Sequence, residues 1–496
     1  MTELTRILSS FSENEMKRFD DFVHSPYFNK SEKLITFFDE LKMSYPFQEV
    51  PPEEIENVYT KVLDEDYNPS TARDLPSALL RLVENFLAAE NIFSKLAGVS
   101  NHLLEELIKK GFDTLLEKNL SRIGEEIENE TQLSSSYLLE RFRYEINKAN
   151  ALYLRDGFSK KETIDKGLVM MENSISHLSS YFLAELISIY VNLVIYFRSY
   201  AGAQEANLAM KVIETIDLKS LKEILMQSDN AYKITEIYYL LMEMFRDTEN
   251  NDNYTNYKNM LTENISHLST EEAHAQFINL IRYCILKLSE DKDNKAYREE
   301  LFNVYEIILD EGLYKNANSN FISVDLFRDM LLNGLRLKNY EWTSAFIEKY
   351  IIKLKPAFRK QMKNFCYMYL YYESGQYSKA LEFSSSLIFD HFIYKFDARN
   401  VLVRIYYELG YNEEALCQIK SYNEFLDRDH HVSKVRKARY MNFIKFVRWI
   451  ILNKEGRSRL DLGYVRKKIN DEQNIAFKEY LNEKIDEIEQ GRRMTG

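Results

Sequence analysis

Seven prolines occur in this chain of 496 residues, and six of them (Pro26, Pro46, Pro51, Pro52, Pro69, Pro76) lie in the first 76 positions, leaving Pro356 alone afterwards. A proline inside a helix removes a backbone hydrogen bond and clashes with the preceding turn, so a run of about 420 positions with one proline reads as a succession of long helices. Glycine is also scarce, with 14 residues, while Tyr (35) and Phe (30) supply apolar surface in a chain that is 45% hydrophobic and 29% charged. That balance lies outside the range of disordered chains. The expected class is all-α. A chain of this length accommodates two or three ordinary domains, or one elongated array that needs no single large core.

A repeated phrase favours the array. The stretch "YYESGQYSKALEF", Tyr371 to Phe383, returns as "YYELGYNEEALCQ", Tyr406 to Gln418. Gly375, Tyr377, Ala380 and Leu381 align with Gly410, Asn412, Ala415 and Leu416, and "NYEWTSAF" upstream offers Tyr340, Trp342, Ala345 and Phe346 as a third copy. The alanines at 345, 380 and 415 are then evenly spaced. Each copy places an aromatic-rich helix before a tight turn and an amphipathic helix after it; Gly permits the turn and Ala lets the two helices approach.

Residues 326–429 resemble the tetratricopeptide repeat, whose turn reads G-x-Y-x-x-A. Tyr340 stands where the turn Gly is expected, and the closing Pro of the repeat is missing from the two best copies. The resemblance implies a tetratricopeptide-like (TPR-like) right-handed α-solenoid in which the first helix of each pair lines a concave groove. It projects Phe365, Tyr369, Tyr372, Asn400, Arg404 and Tyr407 into that groove as partner-binding residues. Packing between neighbouring helices competes with this reading for Tyr372 and Tyr407, whereas Arg404 suits a core poorly. The two-lysine carboxylate clamp of chaperone-binding relatives is not reproduced.

The expected organisation is an N-terminal helical bundle at 1–95, the solenoid at 96–430 and C-terminal capping helices at 431–496. In the bundle, Ser12 and Glu15 form a capping box ahead of Met16, Phe19, Phe22 and Val23; Ser31 caps a second helix bearing Leu34, Phe38 and Leu41; Pro51 and Pro52 open a third. A fourth starts near Ser70 and carries Leu79, Leu82, Val83, Phe86 and Leu87. The motif FxxFxxSPYFN, Phe19 to Asn29, resembles the opening of a group of uncharacterised bacterial helical proteins, a likeness that carries no known activity. In the middle, Glu172–Ser180 is echoed by Glu263–Thr270, and Tyr190–Tyr196 by Phe277–Tyr283, which suggests two larger degenerate units or merely similar helix caps. Polar islands near 156–160, 250–253, 290–294 and 316–320 read as loops.

No phosphate-binding glycine loop, no H-E-x-x-H and no G-x-S-x-G elbow is written in the chain, and acidic pairs such as Glu271 and Glu272 fall where a helix begins, as dipole compensation requires. The expectation is a non-enzyme with no cofactor and no metal. Cys284, Cys366 and Cys417 are far apart and read as reduced core residues. The first residues lack a signal-peptide pattern and Tyr181–Phe197, interrupted by Glu185, Ser188 and Asn192, reads as a buried helix, so a cytoplasmic protein without membrane insertion is expected.

Charge separates the remaining functions. Between Pro51 and Glu90 nine acids face three bases, which disfavours nucleic acid as a partner of the N-terminal unit. Between Arg428 and Lys468 thirteen Lys and Arg meet only Asp429, Glu455 and Asp461, in a chain of net charge -12. Lys434, Lys437, Lys445 and Arg448 recur at helical steps as a basic face, with Val435, Phe443, Val447 and Ile450 towards the core. That face is a solvated surface paired with Glu479, Glu483 and Glu487 of the final helix, or a docking site for an acidic protein segment, or, as the lesser alternative, for nucleic acid, with Tyr440 and Trp449 adding stacking. The expected function is a scaffold or adaptor that binds a protein or peptide. The alternatives are a peptide-responsive regulator acting through its N-terminal unit, and self-assembly.

Overall fold

The computed structural model describes residues 3–45, 71–94, 96–129, 132–157, 160–199, 208–226, 232–291, 294–315, 319–387, 392–428, 433–458 and 460–495. Among them every regular element is a helix and none is a strand. The α-helices are α1 (Glu3–Leu8), α2 (Glu13–His24), α3 (Glu32–Lys42), α4 (Thr71–Ser94), α5 (Leu96–Lys110), α6 (Asp113–Asn129), α7 (Ser135–Asp156), α8 (Lys161–Ser199), α9 (Leu208–Thr215), α10 (Leu218–Leu225) and α11 (Tyr232–Arg246). They continue as α12 (Asn251–Asn264), α13 (Thr270–Glu290), α14 (Lys295–Asp310), α15 (Val324–Arg336), α16 (Tyr340–Tyr350), α17 (Pro356–Glu373), α18 (Tyr377–Ser384), α19 (Phe392–Glu408), α20 (Asn412–Arg428), α21 (Lys434–Lys454), α22 (Leu462–Asp471) and α23 (Lys478–Thr495). Two compact units emerge, Met1–Leu186 with Ile216–Glu236, and Ile187–Thr215 with Ile237–Gly496.

The first unit begins with helices α1 to α4, which share a core. Ser12 Oγ accepts from the Glu15 amide at 3.2 Å while the Glu15 carboxylate accepts from the Ser12 amide at 2.7 Å, so both halves of the capping box are made. Phe19, Phe22, Phe38, Leu79, Val83 and Phe86 close one core; Leu87, expected in that stripe, is exposed. The "SPYFN" turn is held by buried Asn29, whose amide donates to the Val23 carbonyl at 3.0 Å and whose Oδ1 accepts from the Ser31 amide at 3.0 Å. Phe28 then stacks on Phe22 at 4.0 Å. The third helix expected from Pro51 and Pro52 lies outside the described residues.

From α12 to α23 consecutive helices pack on each other, and α15, α17, α19 and α21 each also touch the next member of the series that ends at α23. The turns between helices share one device. The chain enters the left-handed region at Gly375 (φ 76°) and Gly410 (φ 72°). There the Gly375 and Gly410 amides donate to the Tyr372 and Tyr407 carbonyls, and the following amides reach back to Tyr371 and Tyr406. This is the Schellman arrangement that satisfies the last carbonyls of a helix.

The third copy uses the same device in a different register. Its left-handed residue is Lys338 (φ 56°), with Lys338 and Asn339 amides donating to Leu335 and Gly334. The residue packed against the preceding helix is therefore Thr343, fully buried like Ala380 and Ala415, while Ala345 is exposed. The expected alignment of Ala345 with Ala380 is thus two residues out, and Tyr340 is the first helical residue of α16 rather than a stand-in for the turn glycine. Thr343 fits because Gly334 faces it: a Cβ on Gly334 would meet Thr343 Oγ1 at 2.7 Å. Since a side chain in the left-handed region costs roughly 1 kcal/mol, Lys338→Gly is expected to stabilise the protein by about that amount, read as a higher urea midpoint at unchanged slope.

The two echoes in the middle part company. Glu172–Ser180 lies inside continuous α8, whereas Glu263–Thr270 spans the end of α12, a short 3-10 turn and the start of α13. Tyr190–Tyr196 and Phe277–Tyr283 are both helical, and Arg282 donates to Asn192 Oδ1 at 3.0 Å. Similar words here build different joints, so helix chemistry and not a repeated unit explains the first pair.

Candidate functional site

The six groove residues sit on the two helices the sequence assigns them, Phe365, Tyr369 and Tyr372 on α17 and Asn400, Arg404 and Tyr407 on α19. All six are buried. Among the described residues none of the six faces an open groove; the rings fill the space between helices. Phe365 and Tyr369 lie 4.8 Å apart, Phe365 also packs on Tyr394, and the Tyr369 hydroxyl donates to the Asp397 carbonyl at 3.2 Å. Burial pushes the Tyr372 phenol up to about 12.

Arg404 shows why the face is closed. Its guanidinium carbon lies 4.6 Å from the centroid of Tyr372, 4.3 Å from Phe477 and 5.8 Å from Tyr480. Two of those rings come from the C-terminal segment, at and just before α23. The stacking gives a buried cation an electron-rich surround in place of water. Its Nε donates to the Asn400 carbonyl at 3.4 Å, and no carboxylate pairs with it among the described residues. The Asn400 amide, both atoms, and the Tyr480 hydroxyl are buried without a hydrogen-bond partner.

The same C-terminal helix is anchored by charge. Lys484 sits 3.0 Å from Glu408 at the end of α19 and 2.6 Å from Glu487. Burial opposes its charge, yet hydrogen bonds to Glu487 and Glu408 hold its pKa above the ordinary lysine value. Phe396, Tyr407, Tyr422, Phe443, Val447, Ile450, Val465, Leu481 and Ile485 therefore belong to one core that joins α19 and α20 to α21, α22 and α23.

On α21 the expected stripe separates into members that differ in environment. Lys437 is half-buried, donates to the Asp427 carbonyl at 3.2 Å and approaches its carboxylate at 3.7 Å. Lys434, Lys445 and Arg448 are exposed and form no ion pair with the described residues. The Lys445 ammonium lies 4.8 Å from the Trp449 ring centroid. Phe443, Val447 and Ile450 are buried as expected, but Val435 is 60% exposed and lies on the surface beside the cations. The final helix does neutralise basic charge, through other residues than expected. Asp486 and Glu489 hold Arg466 of α22 at 2.7 and 3.1 Å, and Glu487 turns to Lys484 of its own helix.

No protein-family model, curated protein or solved structure matches this chain.

The other candidate positions resolve as structure. Burial pushes the Cys284 thiol up to about 12 and raises that of Cys366, whereas Cys417, expected in the core, is exposed. Glu272 follows the Ser269 cap, as expected, but is buried, accepting from the Tyr238 hydroxyl at 2.7 Å and from Gln276 at 2.6 Å. Asp20, His24 and Asp39 come together on the first unit with metal-like spacing. Lys42 already occupies Asp20 at 2.8 Å, and His24 is raised by its hydrogen bond to the Asp20 carbonyl and by Asp39, so the cluster is an ion-pair network that supplies its own cations.

Helix α8 extends well beyond the Tyr181–Phe197 helix expected, and only part of that stretch is buried. Its stretch Lys161–Phe197 is long and apolar enough to cross a membrane by length and composition, yet it is not the fully buried helix expected at Tyr181–Phe197: Phe182, Ile189 and Tyr196 are exposed. The legible signal was its heptad spacing, which continues towards the N-terminus.

Proposed function

We propose that this chain is a non-catalytic protein-binding scaffold, built as a TPR-like right-handed α-solenoid whose C-terminal helices close the end of the array, and that the basic face of α21 docks an acidic segment of a protein partner. The observation that carries the reading is the trio Lys434, Lys445 and Arg448, exposed and without an ion pair among the described residues, in a chain of net charge -12 that elsewhere pairs its cations readily. Local positive potential on an acidic molecule attracts an acidic ligand that the rest of the chain's surface repels, and so steers it to that face. Val435 and Trp449 add apolar area within that face, as interface anchors do. The alternation of packing through α15, α17, α19, α21 and α23 supports the solenoid.

The test is fluorescence anisotropy with a labelled Asp/Glu-rich helical peptide. Binding should weaken steeply with salt and fall at least about tenfold in Lys434→Glu/Lys445→Glu/Arg448→Glu. Binding that ignores the triple substitution, or that appears only with single-stranded nucleic acid, sinks the proposal.

A further inference from the structure

Helix α8 is 39 residues long, far above the usual length of a globular helix. Over its portion in the first unit, Ile164, Leu168, Met171, Ile175, Leu178 and Phe182 are all exposed. Their steps alternate between four and three residues, which is the seam of a coiled coil and not the broader stripe of a helix laid on a globular core. The helix already has such a core-facing side, through Thr163, Ser174, Leu183 and Ala184. The exposed seam is therefore a second apolar face, for which the described residues of the unit supply no partner.

We infer that this seam pairs with the same seam of a second copy of the chain, in antiparallel orientation. Charge decides both the occupant and the direction. Within the first unit, extending the heptad one step each way places Lys161 at one end of this stretch of the seam and Glu185 at the other. In an antiparallel pair centred between Met171 and Ile175, Met171 meets Ile175, Leu168 meets Leu178, Ile164 meets Phe182, and each Lys161 meets the partner's Glu185. A parallel pair would set Lys161 against Lys161 and Glu185 against Glu185. The two-fold arrangement is self-complementary, so it closes at two copies. A lipid surface fits less well: the exposed charged residues flanking the seam are Glu162, Asp165, Lys166 and Glu172, which lack the basic polar face that binds anionic headgroups.

The test uses the full chain in sedimentation equilibrium over a concentration series. Wild type should pass from the chain mass of 58.9 kDa to twice that value. Ile175→Glu should remain monomeric and melt as wild type does when diluted to monomer, since the residue is 63% exposed within its own chain. Lys161→Glu and Glu185→Lys should each weaken the dimer about tenfold, from two like-charge contacts per dimer, and the double variant should recover to within about threefold of wild type. A monomer at every concentration overturns the inference, as does a dimer indifferent to Ile175→Glu. Charge reversals without mutual rescue overturn the antiparallel register. Co-sedimentation of monomeric wild type with phosphatidylserine vesicles, lost in Ile175→Glu, would assign the seam to lipid instead.

Discussion

Arg328→Met should lower the unfolding free energy by about 3–5 kcal/mol, the cost of leaving a buried carboxylate without its cation. Arg328 on α15 sends Nε and Nη2 to the same oxygen of Asp397 on α19, at 2.6 and 2.5 Å, and Nη1 to Asp329 at 2.8 Å. The side chain of Asp397 is 13% exposed, so water cannot replace the guanidinium. The surroundings add to the commitment: Tyr394 donates to Asp325 at 3.1 Å, and its ring lies 6.0 Å from the Arg328 guanidinium. Removing both charges is a different perturbation from removing one. Arg328→Met/Asp397→Leu should recover to within about 1–2 kcal/mol of wild type, because an apolar pair of similar volume carries no desolvation cost. Urea unfolding followed by circular dichroism measures the cycle. Single-variant losses that simply add in the double variant would show that the two residues act independently.

The parts of this architecture written locally could be read from the sequence. Helix ends announce themselves through Ser12, Ser31, Gly375 and Gly410, because a cap or a left-handed turn needs particular residue types within a few positions. The third copy was misaligned for the same reason. Lys338 takes a conformation in which glycine is expected, so the turn carried no glycine to mark it, and the alanine at 345 offered a false register. Thr343 at the true contact is intelligible only with Gly334, nine residues earlier on the facing helix.

The candidate site was legible in its helices and not in its exposure. Whether Arg404 lines a groove or a core depends on Phe477 and Tyr480, more than seventy positions later, and no repeat period encodes that contact. The reverse error occurred on α8. Its aliphatic composition reads as buried, but one helix can bear two apolar faces, and composition cannot say which of them the chain itself covers.

Substitutions at Arg404 should fall in the order Glu, Ala, Met from most to least destabilising. Arg404→Ala removes a side chain that three rings enclose, leaving a cavity and forfeiting the desolvated cation–π contacts, for a loss of about 3–4 kcal/mol. The truncation is felt at Phe477 as well, whose backbone sits at φ 55° and whose ring packs on Arg404 and on Phe443 at 4.9 Å, because it withdraws one of the two contacts that hold that conformation. Arg404→Met keeps much of the volume and buries no charge; since no carboxylate is left behind unpaired, it should cost no more than about 1.5 kcal/mol. Arg404→Glu places an anion against the negative faces of Tyr372, Phe477 and Tyr480 and should unfold the C-terminal helices outright. The spread is the informative quantity. An arginine that served a partner from an open groove would tolerate all three changes to within about 0.5 kcal/mol, whereas one that closes the core must rank them by volume and charge, and thermal melts of the three variants decide between the two.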